Sequence, residues 1–113
     1  MIETFLVEPA LFDSYIAADP SLQWNEQALV RGASVQLGWW TAGDKQLYFA
    51  TSDEAYAEAV AIFVRALEIA APPGVRWKHE PMLDEHHGTI FPTAALHGIR
   101  MVFAAPGARL SRP

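Results

Sequence analysis

The segment richest in chemistry is Leu83-Asp84-Glu85-His86-His87-Gly88-Thr89. Imidazole titrates near neutral pH, so a histidine beside acids, with a glycine that lets a ligand approach, suits general acid–base work. The same residues also read as a polar loop with two exposed imidazoles. Asp53-Glu54 is a second candidate: helix capping explains it, and so does a carboxylate that orients a catalytic imidazole. A metal site is a competing reading, because His86 and His87 with Asp84 and Glu85 offer nitrogen and oxygen donors. Adjacent side chains tend to point apart, however, and the sequence has no His-x-x-x-His pair, so no metal is expected. His79 and His97 read as structural. The missing member is a nucleophile. Gly-x-Ser-x-Gly occurs nowhere, and Ser14, Ser21, Ser34, Ser52 and Ser111 all lack that context.

These residues sit between elements that the pattern predicts. Residues 1–8 read as a short apolar helix stopped by Pro9, and Ser14 to Ala18 as a short buried strand before Asp19-Pro20. Asn25 is placed to cap a helix through Val30, whereas 33–42, with Trp39 and Trp40, is ambiguous. Gln46 to Thr51 is a continuous apolar and aromatic strand. Ser52-Asp53-Glu54 then reads as a helix start, and apolar residues at 59, 62, 63, 66, 67 and 70 mark one buried face of a helix over 54–71. Val75 to Glu80 alternates with period two, which puts Val75, Trp77 and His79 on one side of a strand. The histidine loop follows, and Pro92 sits near the first turn of a last helix through about Ala104. Residues 106–113 read as a frayed tail. Strands alternating with helices imply a three-layer α/β/α unit with a short, mostly parallel sheet. The histidine loop then lies at the carboxyl end of the strands, where ligands bind in open α/β folds. An acid at one strand tip and a histidine at the next can meet there.

Residues 1–113 are enough for a single domain, 51% hydrophobic and 19% charged, which excludes disorder. A formal charge of −5 argues against nucleic acid or an anionic membrane as partner. No apolar run approaches a bilayer's span, no signal peptide is visible, and the default compartment is the cytoplasm. There is no cysteine, so disulfides and thiolate metal sites are out. No cofactor is expected. Three strands are few for a parallel sheet, whose edges need neighbours. The chain therefore reads as part of a larger sheet.

Two stretches resemble an esterase family of the α/β-hydrolase superfamily, one that includes siderophore-ester hydrolases and S-formylglutathione-type esterases. Phe12-Asp13-Ser14-Tyr15-Ile16-Ala17-Ala18-Asp19-Pro20-Ser21-Leu22-Gln23-Trp24 resembles the stretch after that family's nucleophile-elbow helix. Glu85-His86-His87-Gly88-Thr89, followed by Pro92, Leu96, Gly98, Ile99 and Phe103, resembles its acid-x-His-Gly-Ser/Thr loop and last helix. Leu47 to Ala50 lies between them. The resemblance implies a partial α/β-hydrolase fold, a catalytic role for His87, and Glu54, or else Asp53, as its acid. Asp19 stands where serine is commoner in the family, and Gln23 where tryptophan is. The family's elbow serine would lie upstream of Met1. The resemblance thus implies a small ester substrate, but no serine-esterase activity in this polypeptide alone, since neither nucleophile nor adjacent oxyanion donor is present. A strand left without its neighbour also implies a homodimer through the exposed sheet edge or an apolar face. A non-catalytic dimerising module is the alternative to the hydrolase reading, with a small metal enzyme using His86 and His87 behind it.

Overall fold

The computed structural model describes residues 2–7, 13–22, 30–38 and 44–103. Within them the chain runs α1 (Ile2–Val7), β1 (Ser14–Ala18), α2 (Ala33–Gly38), β2 (Lys45–Thr51), α3 (Ala57–Ala70), β3 (Val75–Pro81) and α4 (Ile90–Val102). The expected helix from Asn25, Trp39 and Trp40, and the tail 106–113 lie outside the described residues.

The three strands form one wholly parallel sheet in the order β1-β2-β3. This is the α/β architecture that the alternation of elements predicts. Period-two side chains divide the sheet between two layers. Tyr15, Ala17, Leu47 and Phe49 face the side covered by α1, α2 and α3, with Val75 and Trp77 packed against the same core. Phe5 meets Tyr15 edge-on at 5.3 Å, and Phe63 of α3 lies 5.1 Å from Phe49. Tyr48 and Ala50, with Ile16 and Ala18 beside them, face Ile90 and Ala94 of α4 on the other side. Residues 59, 63, 66 and 67 are the buried positions of α3, as their spacing requires. No helix among the described residues is long and apolar enough to cross a membrane.

One boundary departs from expectation. The helix expected from residue 54 begins at Ala57, with Tyr56 as a cap that makes no side-chain bond. Ser52-Asp53-Glu54 forms a turn instead. The Ser52 hydroxyl accepts the Glu54 N–H at 3.1 Å, and the three side chains are taken up by longer-range partners.

The parallel register aligns the strand tips. Ala18 lies beside Ala50, and Ala50 beside Glu80, so the chain leaves all three strands at one edge of the molecule. Those exits are stitched together. Asp19 N–H donates to Ala50 O at 2.6 Å, Met82 N–H to Thr51 O at 2.7 Å, and Asp53 N–H to Glu85 O at 3.0 Å.

Candidate functional site

The expected meeting of acids and histidines at the sheet's carboxyl edge occurs, with different pairing. The His87 ring does not face the carboxylate of Glu54 or Asp53. Its Nδ1 lies 2.7 Å from Oδ2 of Asp19, at the tip of β1. Glu54 reaches His87 through the backbone: its Oε2 accepts the His87 N–H at 3.3 Å. Asp53 belongs to His86, whose Nδ1 lies 2.9 Å from Oδ1 and 2.8 Å from Oδ2. Glu54 is 3.8 Å from the same nitrogen. The physical reason is strand order. Successive tips are neighbours, and a loop leaving β3 that crosses above β2 presents one histidine to β2's acids and the next to β1's.

Asp19 is unlike the other acids. Its side chain is 6% exposed, against 36% for Asp53 and 57% for Glu54. Its φ is +52°, in the left-handed region, which Asp tolerates better than most residues. Ser52 holds both carboxylate oxygens: its N–H donates to Oδ1 at 3.0 Å, and its hydroxyl donates to Oδ2 at 2.7 Å. Burial alone raises the Asp19 pKa. Bonds from the Ser52 N–H, the His87 ring and the Ser52 hydroxyl outweigh it, so the net shift is downward and Asp19 is ionised at neutral pH. An ionised carboxylate only accepts, so His87 Nδ1 carries the proton. Nε2 is then the lone-pair nitrogen of the neutral ring. The His87 side chain is 67% exposed, and nothing among the described residues bonds Nε2.

The loop is also braced within itself. Thr89 Oγ1 accepts the His86 N–H at 2.9 Å, and Thr89 and Ile90 N–H both donate to His86 O at 3.0 Å, starting α4. The exposed His86 has its pKa raised, first by its hydrogen bond to Asp53 and then by that carboxylate's charge.

The donors expected for a metal do not converge as a set. Asp84, Glu85 and His87 are not in the cluster whose ligand atoms lie within 4.8 Å of one another; that cluster is Asp53, Glu54 and His86, all exposed. His79 and His97 have the structural surroundings expected of them. His79 stacks on Phe49 at 4.8 Å and meets Thr51 Oγ1 at 2.8 Å. His97 Nδ1 lies 2.9 Å from Glu80 Oε1, which also accepts the Tyr48 hydroxyl at 2.6 Å. Asp19 and Ser52 escape any local sequence signal, being 68 and 35 positions from His87; the one trace is an acid at 19 where the resembled family favours serine.

No protein-family model and no curated protein matches the chain. Among solved structures, the chain is similar to the siderophore hydrolase EstA from Aspergillus nidulans, with a TM-score of 0.62 and 16% sequence identity. The match covers 98% of this chain and 45% of that one, so the chain spans less than half the length of the structure it resembles. At that identity the likeness is one of fold alone, a parallel sheet with helices packed on it.

Proposed function

We propose that this chain supplies the proton-handling part of an ester hydrolase of the α/β-hydrolase type, with His87 as general base and then general acid. One observation carries the reading: at the carboxyl edge of a parallel sheet, His87 Nδ1 is bonded at 2.7 Å to a buried carboxylate while Nε2 is open. That arrangement lets Nε2 take a proton from an attacking hydroxyl and return it to a leaving alkoxide. The likeness in fold to a siderophore hydrolase supports it.

Gly-x-Ser-x-Gly occurs nowhere in these 113 residues. Of the serines near the site, Ser52 is 4% exposed and its hydroxyl is engaged with Asp19. In this reading the serine is supplied by a Gly-x-Ser-x-Gly segment docked beside β1. The purified chain is expected to show no sustained turnover of p-nitrophenyl butyrate. Together with a polypeptide that supplies a Gly-x-Ser-x-Gly segment, it is expected to hydrolyse that ester and to become labelled by a fluorophosphonate on the added serine. His87→Ala should lower the rate at least about 10³-fold, as loss of a catalytic base does. His87-independent turnover, or turnover by the chain alone, overturns the reading.

A second reading, a dimerising module, is favoured by one separate feature. Among the described residues no strand pairs with the outer edge of β1, and α4, packed on β1, exposes Leu96, Ile99 and Phe103 along one stripe.

A further inference from the structure

We propose that Asp19, at the tip of β1, is the residue that positions His87, in place of the Asp53-Glu54 pair at the tip of β2. The inference rests on the hydrolase reading for its purpose, but its geometry stands on its own.

Each of the three acids has a distinct occupation. Asp53 is spent on His86, and Glu54 on the His87 main chain; only Asp19 meets the His87 ring. Burial separates them further. A carboxylate almost sealed from water holds an imidazole N–H more firmly than an exposed one, because less solvent competes for the bond and screens it. Asp19 is also fixed before any ligand arrives. Its backbone N–H is tied to Ala50 O, its left-handed φ turns the chain sharply after β1, and Ser52 grips both oxygens. A non-glycine residue in that region is strained, and such strain persists where the surroundings over-determine it. The consequence is a chain of bonds, Ser52 to Asp19 to His87, that sets ring orientation and tautomer together. Asp19 is thus a positioning residue, and Ser52 supports it.

The tautomer of His87 can be read directly by ¹⁵N NMR of histidine-labelled chain at a pH where the ring is neutral. The wild-type ring is expected to be predominantly Nδ1–H. In Asp19→Asn the amide can donate to Nδ1, and the majority form is expected to become Nε2–H. The double variant Asp53→Asn/Glu54→Gln is expected to leave the tautomer as in wild type. An unchanged tautomer in Asp19→Asn, or a change in the double variant, overturns the assignment. Should the amide spectrum show Asp19→Asn to be unfolded, Ser52→Ala takes its place. Asp19 is then kept but loses one clamp, so the Nδ1–H fraction is expected to fall, and no change overturns the assignment. None of these readings needs an ester. Failure of the complemented protein to hydrolyse one removes the hydrolase reading while the pairing of His87 with Asp19 stands. An altered tautomer only in the double variant does the reverse.

Discussion

Three of the four histidines have a carboxylate on Nδ1; the fourth, His79, has a hydroxyl on Nε2 and an aromatic ring against its face. That difference sets opposite responses to acid. Burial lowers the His79 pKa below its ordinary 6.5, so the folded protein resists protonating a ring that the unfolded chain protonates freely. Stability from His79 is present above 6.5 and is lost as pH falls toward its depressed value. His86 runs the other way. Its hydrogen bond to Asp53 raises its pKa in the fold, so its contribution is complete below 6.5 and is lost as pH rises through the raised value. The stability difference between wild type and His86→Ala is therefore expected to be largest near the acid end of the range from about pH 5 to 8, and to shrink toward the alkaline end. Within the His86→Ala variant, stability should still fall toward acid, because His79 remains. Urea unfolding midpoints across that range check both signs. A difference that grows toward alkali would remove the Asp53–His86 pair as its source.

At the scale of elements, what was readable in the sequence depended on whether the cause was local. The buried face of α3 is written in its spacing, and the alternation of Val75, Trp77 and His79 places them on one face because a pleated strand admits nothing else. The start of α3 was not readable, since Ser52, Asp53 and Glu54 look like a cap and become partners of Asp19, His86 and the His87 backbone only once three parallel strands are in register. The pairing of His87 with Asp19 was hidden for the same reason. Gly98 shows the limit of propensity in the opposite sense. A glycine inside α4 costs about 1 kcal/mol relative to alanine. Yet a Cβ there would fall 2.7 Å from Ile16 Cγ2 and 3.0 Å from Tyr48 Cδ1, and the Tyr48 ring is pinned by its bond to Glu80. Overpacking of that kind costs about 1–3 kcal/mol, so the clash wins. Gly98→Ala is expected to destabilise by about 1 kcal/mol net, despite the better helix former. Adding Ile16→Ala removes the obstructing methyl, so the double variant should lose less than the sum of the singles. Strict additivity in thermal or urea unfolding would mean that α4 does not seat on Ile16 through Gly98.

For the whole molecule, the two sheet edges are not equivalent. β3 carries Arg76, Lys78 and Glu80, charges of the kind that blunt an edge against pairing. β1 is Ser14-Tyr15-Ile16-Ala17-Ala18, with no charge, and α4, packed across β1 and β2, exposes Leu96, Ile99 and Phe103 on the face turned away from the sheet. Both proposed occupants, a nucleophile-bearing segment and a second copy of this chain, would compete for the β1 edge, and the competition is measurable. Alone, the chain is expected to run in light scattering at twice its 12.5 kDa at micromolar concentration. Ile99→Lys/Phe103→Lys, which puts two like charges on an isologous contact, should return it to 12.5 kDa with the fold intact. Titrating in the polypeptide that carries Gly-x-Ser-x-Gly should dissolve the dimer as ester hydrolysis appears, one molecule displacing another from β1. A dimer that survives while hydrolysis rises would place the nucleophile elsewhere than beside β1. A clean monomer at the outset would mean that the β1 edge and the α4 stripe do not drive self-association.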